Sequence, residues 1–167
     1  MEVTKTNCKI DVSQMKDNEL TKIIESLKNR NMDYEMDAIY ILPEYIDGST
    51  DVLNGLSPNI NKILLLDKNN SKIVYNKEDF TYLTLNDADI IFPLLFNIPI
   101  GLVTNLIVHY IDRILKKSKS KSNIKVKFIS KETNKEKHKQ YELEGDAKYV
   151  IEALKILEKG DDYNERL

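Results

Sequence analysis

The chain has 167 residues, 41% of them hydrophobic and 31% charged, which is enough apolar material for one globular domain or for two very small ones sharing a core. Five glycines and four prolines exclude a collagen-like or a wholly disordered chain. The net charge of −2 hides a segregation: residues 113–139 hold eleven Lys or Arg against Glu132 and Glu136, a balance of +9, and the rest of the chain holds 14 basic and 25 acidic residues, a balance of −11.

In chain order, residues 2–12 place Val3, Ile10 and Val12 among polar residues and predict a first strand. Leu20, Ile23, Ile24 and Leu27 recur at helical spacing and predict a helix over 17–30, whose acidic start suits the helix dipole. From 34 to 42, Tyr34, Met36, Ala38, Tyr40 and Leu42 alternate with polar residues, the period of a strand that Pro43 ends. Asp47, Gly48 and Ser49 form a turn, and Ser49 or Thr50 caps a short helix reaching Leu56. The run 62–66, continuously apolar from Ile63 to Leu66, reads as a central strand, followed by a polar turn and a second strand over 72–75. A short strand over 80–85 and a helical turn capped by Asn86 or Asp87, disturbed by Pro93, complete the first half.

Residues 90–111 carry no formal charge and lead into a lysine-rich run over 116–127. Pro99 suits the first position of a helix running to about residue 117. Ile100, Val103, Leu106, Ile107, Tyr110, Ile111 and Ile114 make a broad apolar sector of it, with Val108 and Leu115 widening it, and Gly101, Asn105, His109, Asp112 and Lys116 confined to a narrow polar stripe. A sector roughly twice the usual width of about 100° packs on more than one side. Residues 90–111 are long enough to cross a membrane, but two prolines and the polar side chains of Asn97, Asn105 and His109 interrupt them, which favours a helix buried in protein.

Beyond the lysines, Ile124, Val126 and Phe128 alternate with lysines, and Tyr141 and Leu143 alternate with Gln140, Glu142 and Glu144. A bend near Thr133 and Asn134 makes them a hairpin with Ile124 opposite Leu143, Val126 opposite Tyr141 and Lys125 opposite Glu142. Two strands are barely stable alone, so the hairpin is expected to join strands of the first half or of another protomer. Asp146 caps a last helix striped by Ala147, Val150, Ile151, Leu154 and Leu157, with Gly160 at its end and a polar tail over 161–167.

No strong catalytic or cofactor signature accompanies these elements. Glu44, Asp47 and Asp51 flank a turn without the ligand spacing of a calcium loop, and they read as a capped turn rather than a metal site. His109 lies at helical spacing from Asn105 and Asp112, without a nucleophile supported by a motif. Cys8, the lone cysteine, makes no internal disulfide and reads as a small apolar strand residue, and His138 reads as a solvated loop residue. Nothing resembles a secretory leader, so the cytoplasm is the expected compartment. Lys116, Lys117, Lys119, Lys121, Lys125 and Lys127 form a basic segment for phosphates or for an acidic protein, though no interleaved aromatic residues provide a stacking surface.

In element order, residues 99–158 resemble the small accessory components encoded beside effectors in bacterial conflict and antiviral systems, often called effector-associated constant components. The matching stretch is Ile100 to Leu115, the lysine run, Ile124 to Phe128, Tyr141 to Leu143 and Asp146 to Leu157. The resemblance covers the last third of the chain, rests on no diagnostic motif and implies a non-catalytic partner of an effector, with no residue role carried over.

The resulting expectation is a single α+β domain over 1–160, with parts 1–86 and 87–160. A mixed or antiparallel sheet is packed by about three main helices and ends in a C-terminal helix-hairpin-helix module. The expected role is a non-enzymatic protein-interaction subunit of a bacterial defence or toxin system, without cofactor or metal. Ile100, Val103, Ile107, Tyr110, Ile111 and Ile114 form its interface, the basic segment selects an acidic partner or a second copy, and a membrane is not the partner. A nucleic-acid-binding regulator using the lysines is the alternative, and a metal-dependent hydrolase ranks third.

Overall fold

A computed structural model describes residues 2–5, 8–47, 50–83, 89–115, 123–131 and 137–159. The chain is α+β, with a mixed sheet and four helices among the described residues. It opens with a hairpin of β1 (Glu2–Lys5) and β2 (Cys8–Gln14), where one strand was expected. Helix α1 (Asp17–Lys28) follows, ended by Asn31 in the left-handed region (φ 57°), with Met32 N–H bonded back to the Leu27 carbonyl.

The expected strand over 34–42 shrinks to β3 (Ile39–Ile41). The segment before it turns, because the Tyr40 hydroxyl accepts from Glu35 N–H (2.7 Å) and donates to the Asp33 carbonyl (3.0 Å). Residues 50–56 are not a short helix: β4 (Tyr45–Asp47) pairs antiparallel with β5 (Thr50–Asn54). Asn54, fully buried, accepts from Leu56 N–H at 2.9 Å just ahead of α2 (Ser57–Leu66), which carries Pro58 in its first turn.

This helix replaces the expected central strand over 62–66. Ile60 and Leu64 enter the core and Ile63 packs against it, whereas Leu65 and Leu66 are 50% and 73% exposed. Lys68, at φ 64°, closes α2 as Asn31 closes α1, with Asn69 N–H bonded to Leu64 O and Lys68 N–H to Leu65 O. Strands β6 (Ser71–Ile73), β7 (Phe80–Leu83), β8 (Asp89–Ile91) and β9 (Leu95–Phe96) complete the first half. The helical turn expected at Asn86 and Asp87 lies outside the described residues.

Strands β8 and β9 act as one strand broken around Pro93. Both run parallel to β10 (Asn123–Lys131), β8 beside residues 123–125 and β9 beside residues 128–129. Between β9 and β10 lies α3 (Ile100–Leu115), and after β10 come β11 (His138–Asp146) and α4 (Ala147–Glu158). Asp146 occupies the N-cap of α4 without a side-chain capping bond, and Gly160 and the tail lie outside the described residues. The main sheet runs β1-β2-β11-β10-β9-β3-β6, with β8 also on β10, so strands from both halves of the chain interleave. Its hairpin register differs from the expected one by two residues: Ile124 faces Gly145, Val126 faces Leu143 and Phe128 faces Tyr141. A shift of two preserves which face each side chain takes, so the apolar pattern could not distinguish the two registers.

One face of the sheet carries Cys8, Ile10, Ile39, Ile41, Leu95, Ile124, Val126, Phe128, Tyr141 and Leu143, packed under α2, α3 and α4. The opposite face is divided. Where it carries Tyr40, Leu42, Val74, Phe96 and Ile129, α1 covers it through Leu20, Ile23 and Leu27. Over β2, β11 and β10 it presents Lys9, Glu144 and Lys125 in one row and Asp11, Glu142 and Lys127 in the next. Charges of both signs in such rows suit a solvated face.

Candidate interaction surface

A second sheet, β4-β5-β7, stands beside the main one, and its outer strand carries the most exposed aromatic group among the described residues. Its foundation is ionic. Arg30, just past α1, holds Asp51 of β5 through two bonds of 2.7 Å, Nε to Oδ2 and Nη2 to Oδ1, with side chains only 6% and 4% exposed. Arg30 Nη1 donates to the Ser26 carbonyl at 2.8 Å, which fixes the guanidinium to its own helix. The Arg30 hydrogen bonds hold the Asp51 carboxyl below the usual carboxylate range against the opposing effect of burial, helped by the bond from Asn76 N–H.

Asp51 also organises the approach to β7. Its Oδ2 accepts from Asn76 N–H at 2.7 Å, and its own N–H donates to the Asp79 carbonyl at 3.2 Å. Asn76 Oδ1 accepts from Glu78 N–H (3.1 Å), an Asx turn that redirects the chain, and Thr50 Oγ1 donates to Asp79 Oδ1 at 2.9 Å. Thus β7 enters in parallel register with β5, Phe80 beside Asp51 and Tyr82 beside Leu53.

The outer side of β7 is the edge of this sheet among the described residues. Phe80 is 38% and Tyr82 51% exposed, with Thr81 exposed between them. The rings form an edge-to-face row, Tyr75 to Phe80 at 4.9 Å and Phe80 to Tyr82 at 5.6 Å. An aromatic row supported from behind, on a strand with no outer neighbour among the described residues, can take up an extended segment and cover apolar area with little loss of side-chain entropy.

Those residues expected to form the interface whose side chains the structure describes lie elsewhere. Val103, Ile107 and Tyr110 are inside the protein's own core, covered by the sheet and α4, Ile100 is half-buried, and the side chains of Ile111 and Ile114 lie outside the described residues. Val103, Leu106, Ile107 and Tyr110 of the apolar sector of α3 are thus occupied intramolecularly, and its exposed residues include Asn105, Val108, His109 and Asp112. No helix among the described residues is long and apolar enough to cross a membrane.

Lys116, Lys117, Lys119 and Lys121 lie outside the described residues. Lys125 and Lys127 stand in β10 opposite Glu144 and Glu142, and Lys125 reaches Glu142, its expected partner, diagonally at 3.9 Å. Among the possible metal ligands, Asp51 is committed to Arg30 and Glu44 accepts from Asn54 at 2.7 Å, while the Asp47 side chain lies outside the described residues. No group of three or more His, Cys, Asp or Glu that could hold a metal occurs among the described residues. Cys8 is buried in the core and His109 is exposed on α3.

His138 is not a solvated loop residue. It begins β11, is 6% exposed and stacks on Phe96 with ring centroids 5.5 Å apart and planes inclined by 14°. Its Nε2 has no hydrogen-bond partner among the described residues. Burial, with a smaller contribution from the charge of Lys131 across the hairpin, lowers its pKa below the ordinary imidazole value.

Sequence reasoning placed a strand at Phe80 but had no signal for its position at an edge, because alternation reports a half-buried strand without identifying its neighbours. The pairing of Arg30 with Asp51 across 21 residues left no periodic trace. Compared with protein-family models, curated proteins and solved structures, the chain has no significant match.

Proposed function

We propose that this protein is a non-enzymatic interaction subunit that binds a partner protein along β7, the partner adding an extended segment to the open edge and covering Phe80 and Tyr82. The observation that carries this reading is the pair of exposed aromatic rings on an edge strand held from behind by the buried Arg30–Asp51 pair. Aromatic anchors of this kind dominate binding energy at protein interfaces, and natural proteins seldom leave a hydrophobic edge uncovered. The order of α3, hairpin and α4, read as a helix-hairpin-helix arrangement, supports an accessory role like that of effector-associated constant components in a bacterial defence or toxin system, in the cytoplasm.

The test compares wild type with Phe80→Ser/Tyr82→Ser, using tagged full-length chain purified from its native host and light scattering of the eluted complex. The reading expects one stoichiometric partner with wild type and its loss with the variant. A lone wild-type monomer, or a partner retained unchanged by the variant, overturns it. Light scattering of the purified chain alone identifies a second copy as the partner if the wild type dimerises and the variant does not. The +9 segment over 113–139 favours nucleic acid as the alternative: on that reading a mobility shift is present and is abolished by replacing Lys116, Lys117, Lys119 and Lys121 with Ser.

A further inference from the structure

The register of β7 on β5 fixes which backbone groups of the edge strand point outward. In a parallel pair a residue bonds to the two residues that flank its partner, and the partner's own N–H and C=O point the other way. Asp51 is the register partner of Phe80, and its N–H donates to the Asp79 carbonyl at 3.2 Å. Residues 79, 81 and 83 therefore turn their bonding groups toward β5. The N–H and C=O of Phe80 and Tyr82 turn toward the outer edge, where no strand of the described residues lies. The two residues that present their backbone outward are thus the two that carry the exposed rings, and both rings stand on one face of the sheet.

This arrangement is complementary to itself. When β7 of a second copy lies antiparallel to the first about a two-fold axis through Thr81, Phe80 of each copy falls opposite Tyr82 of the other. Those are the residues with outward backbone groups, so each pair exchanges both of its N–H to O=C bonds. The rings form cross-strand aromatic pairs, and the row of Tyr75, Phe80 and Tyr82 continues across the axis. Lys77 and Glu78, exposed ahead of the strand, are carried to opposite ends of the ladder, roughly 20 Å from their counterparts. A parallel arrangement would instead set Glu78 beside Glu78 and Lys77 beside Lys77, and it would leave the second copy with an open edge.

We infer that β7 is a homotypic contact, which pairs antiparallel with β7 of a second copy about an axis at Thr81 and joins the two small sheets into one. The inference rests on the reading of β7 as a binding edge and names the segment that covers it when the chain is alone. An isologous contact of this kind uses up the edge of both copies and stops at a dimer. Its strength follows from its area. Side chains of roughly 200 Å² exposed by 38% and 51% leave about 180 Å² of ring surface per copy to be covered. That is several-fold below the roughly 800 Å² per partner of a standard interface, so the dimer exchanges rapidly and is half-formed at about 0.1–1 mM chain. A contact of this strength yields to a tighter partner on the same strand.

The experiment follows the full chain by sedimentation equilibrium and by amide NMR shifts from about 20 μM to about 2 mM. A monomer–dimer equilibrium is expected, with concentration-dependent shifts centred on Phe80 and Tyr82. Thr81 is exposed and faces its own counterpart across the axis. Thr81→Lys and Thr81→Glu each set like charges opposite one another and weaken the dimer by about threefold or more, and an equimolar mixture of the two restores it to the wild-type level or above. Restoration is a result that misfolded variants cannot give. A wild type that stays monomeric over the whole range, a dimer unchanged by Phe80→Ser/Tyr82→Ser, or a mixture no tighter than its components overturns the homotypic contact. If the chain alone is monomeric while Phe80→Ser/Tyr82→Ser still abolishes partner capture, β7 remains the binding edge and this occupant is wrong. Capture unaffected by those substitutions removes the underlying reading as well.

Discussion

Replacing Asp51 with Ala tests whether the aromatic edge rests on the buried ion pair. The substitution removes two bonds of 2.7 Å to Arg30 and the 2.7 Å acceptor of Asn76 N–H, and it leaves a guanidinium that is 6% exposed without its counter-charge. Breaking a buried pair from one side costs about 3–5 kcal/mol, mostly because the remaining charge is uncompensated. For a chain of this size that lowers Tm by roughly 6–20 °C. Urea unfolding followed by circular dichroism measures the loss, and the double variant Arg30→Met/Asp51→Leu recovers much of it because no charge then remains buried.

The same pair sets a pH dependence. The folded Asp51 pKa lies below its ordinary value of 3.8, so its contribution is fully present above about pH 4 and is lost as the pH falls through the lowered folded value. Wild type therefore loses stability more steeply than Asp51→Ala on the acid side of pH 4. Hydrogen exchange adds a local readout: amides of residues 76–83 exchange faster in Asp51→Ala, since Asn76 and β7 are tied through this carboxylate. A cost below about 1 kcal/mol, or single-variant costs that simply add in the double variant, would refute the reasoning.

Other substitutions probe other levels of the structure. Phe80→Ser and Tyr82→Ser lower stability by less than about 1 kcal/mol each, because both rings are substantially exposed, yet together weaken partner binding at least tenfold, or about 1.4 kcal/mol, by calorimetry on the isolated complex. Asn97 has φ 65° and donates to the Met36 and Ala38 carbonyls at 2.8 Å each; Asn97→Gly loses the bonds alone, and Asn97→Ala adds left-handed strain, making it less stable than the Gly variant by about 1–2 kcal/mol in urea unfolding. A Cβ at Gly101 meets only the Glu158 carboxylate, at 2.7 Å, the movable end of an exposed side chain, so Gly101→Ala is stabilising by up to about 1 kcal/mol in the same assay. For His138 the folded pKa lies below 6.5, so its contribution is present above that value and is lost as the pH falls through the folded pKa; wild type loses Tm between pH 6.5 and 5 more steeply than His138→Gln.

The elements read correctly share a physical property. Helices α1, α3 and α4 each bury one stripe at spacings of three and four residues, and periodicity of that kind is local. Helix α2 was misread because Ile63 to Leu66 form an unbroken apolar run, which a buried strand shares, although Pro58 and the spacing of Ile60 and Leu64 carried the helical signal. Strand β3 was read too long because Tyr40 and Asn97 turn the preceding segment through bonds to its backbone, and Asn97 is about sixty residues away along the chain. At the interaction surface, Phe80 was legible as a strand residue, but Arg30 and Asp51 were not legible as a pair, and His138 was read as solvated because its neighbours in sequence are charged while its neighbours in space include Phe96.

By itself the sequence determined the inward face of α1, of α4 and of the last hairpin, including the alternation of Ile124, Val126 and Phe128 against their lysines, because side-chain period is a property of consecutive backbone units. It also determined that residues 90–111 could not be one uninterrupted helix, since Pro93 and Pro99 lack the N–H that such a helix needs. Only the tertiary structure decided which strands are neighbours, that Val103, Leu106, Ile107 and Tyr110 of α3 are covered by this chain, and that β7 lies at an edge among the described residues. Those outcomes depend on contacts between residues far apart in sequence, where shape and unpaired hydrogen-bonding groups, rather than local pattern, select the partner.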